Sequence, residues 1–417
     1  MTSDVRLAVV GEVGGRFSHT CDDRDIAYFV EKCARAGIQR IIHSYYHYPS
    51  PKYPSYLTHG NQLMQVEPFA YGAESPLARL VRRAHDAGIE VISFVNVATG
   101  GQWIRADYLA SGEVWPYVRL IGGGRELDKY WARTRDGRSW LDHGPRSPLG
   151  AVGYVSLAYP EVRERERNLY LEFVDQYRVD GVQLEFMISR PPRYASPSAH
   201  RNLPCCDEEG YWAYGYEEPA IEEYRQKYGV DPCTLPNSEP SWVQFRADYA
   251  TQHLRELRQA LQQQGKHVDV SVFAFSGTFS SSADGLAVGS DWETWLREGL
   301  IDTIYSRIPG DRPPLRERFT EVRVEGMQRE YLELKKAVAG RAALFPVIEL
   351  PTYPLSAPGQ GTPEEANAGA ERLGHALLAA GADRLGFWWF DTIEALDLWP
   401  TVAMLRAALE KGAQANP

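Results

Sequence analysis

Cysteine is sparse in this chain, basic charge is outnumbered, and long apolar runs are missing. The five cysteines, Cys21, Cys33, Cys205, Cys206 and Cys233, are an odd set without metal-ligand spacing, and the adjacent Cys205-Cys206 pair lacks the two intervening residues of a CxxC site. Free thiols are expected, not a disulfide framework or a cysteine-held zinc. No apolar run approaches the roughly 20 residues that cross a bilayer, so no membrane partner is expected. The opening MTSDVRLAVV has neither the basic segment nor the apolar stretch of a signal peptide, which makes the cytoplasm the default location; secretion stays open for a chain whose leader was removed. Lys and Arg number 45 against 55 Asp and Glu, a net charge of -10 that opposes wrapping a phosphate backbone and disfavours nucleic acid as a partner. No GxSxG elbow surrounds Ser276 or Ser281, and no HExxH or GxxxxGK[ST] run occurs. Serine-hydrolase, zincin and P-loop chemistry lose their usual support, and no cofactor is expected.

What the chain does have is a rhythm. Short apolar runs at 5–13, 40–48, 89–97, 179–186, 268–276, 300–308, 342–350 and 383–391 alternate with helix-length amphipathic segments at 22–37, 76–87, 159–177, 241–265, 290–298, 318–339, 363–381 and 395–411. Gly37, Gly88, Gly340 and Gly381 stand where four of those helices should stop. Eight βα units predict an α/β fold, a (β/α)8 TIM barrel whose site lies where the loops leave the strand ends. The alternative, a doubly wound open sheet, should carry a phosphate-binding glycine turn, and GEVGGRF (11–17) lacks the GxGxxG order. Residues 98–158 and 187–240 interrupt the rhythm after strands 3 and 4, and a shorter insert at 49–75 follows strand 2. They show neither repeat nor linker composition, so the expectation is one barrel domain over 1–417 with these segments as elaborated loops walling a cleft.

Strand periodicity in VDGVQLEF (179–186) puts Gly181, Gln183 and Glu185 on one side and Val182, Leu184 and Phe186 on the other. The helix-facing side of a barrel strand must be apolar, which turns Gln183 and Glu185 inward, with Glu185 at the open end. Glu349, penultimate in the seventh run and followed closely by Pro351, occupies the matching place. Glycosidic cleavage needs one carboxyl group to protonate the leaving oxygen and a second to attack the anomeric carbon or activate water. Glu185 and Glu349 are the candidate pair, with Asp391 at the end of GFWWFD the rival for the second role. Asp180, before the glycine, is expected to bind backbone N–H groups. Glu12, the trio His43, Tyr45 and His47 on one side of strand 2, Asn96, Arg190, Arg307 and Tyr353 are candidates to orient a sugar ring. Two histidines without a third ligand make a weak zinc signal, and no metal is expected. Alternation in the last run groups Phe387, Trp389 and Asp391, which makes Trp389 the inward aromatic if Asp391 faces the mouth.

The segments YRVDGVQLEFMISRPPR (177–193), VDVSVFAFS (268–276) and DWETWLREGLIDTIYSRI (291–308) resemble bacterial family-10-like (β/α)8 glycosyl hydrolase-like proteins over about residues 5 to 395. In these a DG-led fourth strand ends in an acidic residue, and a D-W-x-x-W-x-x-x-G-x-I-D run, here Asp291, Trp292, Trp295, Gly299, Ile301 and Asp302, leads into the sixth. The resemblance implies that Glu185 is the acidic site residue, where many relatives carry Asp. It also implies a Pro-Gln-x-Tyr segment after the sixth strand, and this chain departs from it with Tyr305, Ser306, Arg307 and Ile308. The pairing with Glu349 follows the broader glycosidase superfamily, which keeps glutamates at the fourth and seventh strand ends.

The leading expectation is a glycoside hydrolase acting on an oligosaccharide or glycoconjugate. A carbohydrate-binding barrel without catalysis is the second reading. The third is a lyase or isomerase with His43 or His47 as base and Arg307 on a uronate carboxylate. Homo-oligomeric assembly is left open.

Overall fold

The computed structural model describes residues 6–11, 23–44, 57–59, 62–64, 76–103, 114–115, 129–139, 152–185, 213–275, 285–286, 289–308, 319–350, 362–388 and 390–415. Eight parallel strands close into a barrel: β1 (Leu7–Gly11), β2 (Arg40–Ser44), β3 (Glu90–Asn96), β4 (Gly181–Glu185), β5 (Asp269–Phe275), β6 (Thr303–Ile308), β7 (Ala343–Glu349) and β8 (Leu385–Trp388). Each pairs with its neighbour in sequence, and β8 pairs with β1 to complete the ring. The helices returning between strands are α1 (Asp23–Ala36), α2 (Pro76–Asp86), α3 (Pro160–Glu172), α4 (Pro240–Gln263), α5 (Trp292–Arg297), α6 (Glu321–Val338) and α7 (Pro363–Ala379), with α8 (Trp399–Ala415) last. This is the expected (β/α)8 TIM barrel.

Local chemistry sets the boundaries. Helix α1 opens with Asp23 and Asp25 against its positive end and stops at Gly37, whose φ of +74° an L side chain resists. Helix α7 starts from a capping box in which the Thr362 hydroxyl accepts from the Glu365 N–H and the Glu365 carboxylate accepts from the Thr362 N–H. Helix α3 runs on as a π turn over Phe173–Tyr177 and ends at Arg178 in the left-handed region, φ +56°.

The strands bury both faces, as a parallel barrel must. Ala8, Val10, Ile42, Ile92, Phe94, Phe273, Tyr305, Phe345, Val347 and Trp388 fill the interior, whereas Val9, Ile41, Val91, Val182, Leu184, Ile348 and Phe387 belong to the layer packed under the helices. Each large apolar side chain removed from water contributes about 1.5–3 kcal/mol. Asp180 accepts the Val91 N–H at 2.7 Å and meets His85 Nε2 at 2.9 Å, the backbone-binding role its position suggested. Asp302 repeats the device on the Val270 N–H at 2.8 Å.

Gly181 sits where β4 crosses the barrel floor, and a Cβ there would lie 2.5 Å from the Asp269 carbonyl oxygen and 2.8 Å from Ile92 Cδ1. Gly181→Ala is therefore expected to destabilise the protein by about 1–3 kcal/mol through overpacking, measured by urea denaturation. A change near zero would mean that β5 moves aside freely.

The insertion after β3 includes a three-stranded antiparallel sheet, ordered 114–115, 99–103, 152–154, and a segment over 131–139. The one after β4 includes a helix over Glu218–Tyr228. The two are joined. The Tyr216 N–H donates to the Arg133 carbonyl at 3.0 Å, and the buried Glu217 carboxylate accepts the Arg133 N–H at 2.7 Å and the Ser156 hydroxyl at 2.9 Å. Burial raises the Glu217 pKa against the pull of these donors. After β2, 57–59 and 62–64 pair antiparallel. No described helix is long and apolar enough to cross a membrane.

Candidate functional site

Register defines the ring at the open end of the barrel. Asn96 of β3 pairs with Glu185 of β4, and Glu349 of β7 pairs with Trp388 of β8. Glu349 is the last residue of its strand, 1% exposed, on the interior face that Phe345 and Val347 share below it. Glu185 is the last residue of β4, two places above Gln183. Around the ring, β5 and β6 separate β4 from β7 on one side. Glu12, Tyr45, His47, Arg190, Tyr353 and Trp389 lie outside the described residues, as do the side chains of Glu185, Asn96 and Arg307.

Three aromatic rings form an apolar group inside the barrel. Phe94 and Phe273 have centroids 5.3 Å apart, Phe273 and Trp388 5.2 Å, and Phe94 and Trp388 6.2 Å, all near edge-to-face. This corrects the expectation for the last strand, which grouped Phe387 with the inward side. Trp388 faces the interior and Phe387 the helices. Strand β8 ends at Trp388, and Asp391 belongs to a short helix over Phe390–Ala395, where it is buried. A two-residue period cannot be counted back through that boundary.

His43 is a second correction. It alternates with the interior residue Ile42 and shares the side of Ile41, so it faces the helices and not the mouth. Its Nδ1 lies 3.2 Å from the Gly11 carbonyl oxygen, and burial outweighs that bond and lowers its pKa to about 4. A ring turned away from the barrel interior and made weakly basic by burial is poorly suited to orient a sugar or to serve as a lyase base. Among the described residues no cluster of three His, Cys, Asp or Glu could hold a metal ion. Cys33 and Cys233 are free thiols.

Sequence reasoning missed the barrel floor. Arg40 of β2 donates to Glu90 Oε2 at 2.6 and 2.8 Å, to Asp269 Oδ2 at 3.2 Å and to the Tyr305 hydroxyl at 2.9 Å. Thr303 adds a bond to Asp269 Oδ2 at 2.6 Å. Burial opposes charge on Arg40, yet Tyr305, Asp269 and Glu90 outweigh it and its pKa is raised. Burial likewise raises Asp269 in spite of Arg40. A charged residue opening a strand looks solvent-exposed in sequence, and its partners lie 50, 229 and 265 residues away on β3, β5 and β6.

Two buried histidines make stability depend on pH. His253 of α4 is fully buried, and burial followed by the charges of Arg163 and Arg167 lowers its pKa to about 3. Both His43 and His253 take up a proton more readily unfolded, where the reference is 6.5. Their contribution is complete above that value and is lost as pH falls toward about 4 and 3, at about 1.4 kcal/mol per pH unit for each group. The raised carboxyl groups of Glu166, Glu217 and Asp269 act with opposite sign, so a variant isolates the histidine. His253→Leu is expected to lose less stability than the parent between about pH 6 and pH 5, by about 1.4 kcal/mol, in urea melts. Parallel curves would contradict this.

Residues 207–318, about a quarter of the chain, match the family model described as Glycosyl hydrolase-like 10. The likeness to that family lies within this segment. No curated protein matches the chain. Among solved structures it is similar to the catalytic domain of beta-amylase from Paenibacillus polymyxa, at 10% identity and a TM-score of 0.55 over 98% of this chain and 99% of that one. It is also similar to beta-galactosidase from the psychrophilic Marinomonas ef1, at 12% identity and a TM-score of 0.56 over 96% of this chain and 59% of that one. At such identities the likeness carries the fold alone. Within the matched segment, the Asp291-to-Asp302 motif builds part of the barrel wall. Asp291 caps α5 through the Thr294 N–H, Trp292 and Trp295 are buried, Gly299 takes a φ of +65°, and Asp302 holds the Val270 N–H.

Proposed function

We propose that this glycosyl-hydrolase-like barrel is a glycoside hydrolase in which Glu185 acts as general acid/base and Glu349 as nucleophile. The observation that carries the reading is that β4 and β7 both end in a glutamate, with two strands between them around one mouth. Strand alternation gives position 185 the interior face of Gln183, and Glu349 shares the interior face of Val347. The glycosidase names of the two similar structures agree with the reading. In the reaction, the Glu185 carboxyl group protonates the leaving oxygen while Glu349 attacks the anomeric carbon, and water then releases the sugar with Glu185 taking the proton back. The Phe94, Phe273 and Trp388 rings suit the C–H face of a sugar, and the burial of Glu349 strengthens its electrostatic stabilisation of positive charge developing at the ring. The net charge of -10 suits a neutral glycan better than a polyanion.

The test is turnover of a panel of aryl glycosides by the parent, Glu185→Gln and Glu349→Gln, with folding checked by circular dichroism. Loss in both variants supports the reading. Glycan binding without turnover, unchanged by removing both carboxylates, points instead to a carbohydrate-binding barrel.

A further inference from the structure

Inside the barrel, one polar side chain breaks the rule that buried polar groups are paired. Gln183 is 0% exposed, and neither its Nε2 nor its Oε1 has a hydrogen-bond partner. It stands in register with Phe94 on β3 and Ser271 on β5, on the interior face. Asp269 lies two residues below Ser271 on the same face of β5. Its Oδ2 takes Arg40 and Thr303, whereas its Oδ1 is buried without a partner. An amide donor, an amide acceptor and a carboxylate oxygen thus face the same interior, all unsatisfied by protein. Leaving them dry is costly, and a water with two or more polar partners is the usual remedy.

The placement also concerns β4 itself. Its three interior positions are Gly181, Gln183 and Glu185, and Gly181 contributes no side chain. Beneath Glu185, Gln183 is therefore the sole interior side chain of the strand, where β7 has Phe345 and Val347 packed beneath Glu349. Fixing the Gln183 amide would fix the strand end.

We propose that the barrel interior holds an ordered water bridging Gln183 and Asp269, and that through it Gln183 acts as a positioning residue for the end of β4. The water accepts the Gln183 Nε2–H and donates to Asp269 Oδ1. It ties β4 to the Arg40 network on the floor. The site itself does not depend on the proposed reaction, whereas the positioning role rests on the reading of Glu185 as acid/base.

A crystal structure of the parent protein at a resolution that shows ordered water tests the site. Density for a water within hydrogen-bonding distance of both Gln183 and Asp269 Oδ1 is expected, and an interior empty at that point overturns the proposal. The positioning role is tested with Gln183→Met, which keeps the length and removes the polar atoms, and with Gln183→Asn, which keeps an amide and leaves room for a second water. Gln183→Met is expected to lower kcat by about ten- to a hundredfold at unchanged KM and to shift the pH-rate limb assigned to Glu185, with Gln183→Asn restoring part of both. A kcat and pH profile equal to the parent's in Gln183→Met overturns the positioning role. Should that variant fail to fold, the Gln183→Asn profile and the water decide. If Glu185→Gln itself keeps parental turnover, the glycosidase reading has failed and the water site stands on the crystal structure.

Discussion

Glu349→Gln is expected to lower kcat by about 10²- to 10⁴-fold on aryl glycosides of every leaving-group strength, because the group that attacks the anomeric carbon is needed whatever departs. Glu185→Gln should behave differently. A strongly acidic aryl leaving group departs without protonation, so the loss is expected to be severe for glycosides of weakly acidic alcohols and much smaller for dinitrophenyl glycosides in the first step. The contrast separates the two roles within one set of measurements. Equal, leaving-group-independent losses in both variants would contradict the division of labour, and parental rates in either would remove that residue from the mechanism. Asp391 would then be next for the second role, although its place in the short helix after β8 sets it beyond the strand end.

The second large effect is on stability. Arg40→Ala is expected to destabilise the protein by about 3–5 kcal/mol, because it leaves the buried Asp269 carboxylate and Tyr305 hydroxyl without their cationic partner. Chemical denaturation monitored by tryptophan fluorescence measures it. Glu90→Ala should cost less, since the Glu90 side chain is 31% exposed and water can replace part of what is lost. A loss under about 1 kcal/mol for Arg40→Ala would show that the floor relaxes or fills with water, and that the network adds little beyond its packing.

The barrel was legible because its evidence is local. The run 268–276 became Asp269–Phe275 and the amphipathic stretch 363–381 became Pro363–Ala379, since β-branched alternation, an N-terminal capping box and a closing glycine each act within a few residues. The motif that carries the family likeness was equally visible, yet its residues cap a helix, fill the wall and satisfy a strand N–H; they speak for the fold and not for the chemistry. The site was harder to read where a local period crosses an element boundary or where partners are remote. Counting alternation back from Asp391 put Phe387 on the inward side because the strand-to-helix break after Trp388 leaves no mark in GFWWFD. His43 looked inward because the polar residue of a strand is usually assigned to the mouth, whereas in β2 the inward positions are Arg40 and Ile42. Arg40 itself gave no sign, as Glu90 reaches it only when β2 pairs with β3, and Asp269 and Tyr305 only when the ring closes.

The most direct test of the central claim is the distance between the Glu185 and Glu349 carboxyl groups in a crystal structure with a sugar bound in the mouth. The account predicts about 5–5.5 Å, with the anomeric carbon between the two and retention of configuration in the product. A gap of roughly 6.5–9.5 Å would keep the pair but make Glu349 the base for an inverting attack by water. A gap beyond that range, or a sugar bound away from both carboxylates, would contradict the claim that these two strand ends flank one glycosidic bond.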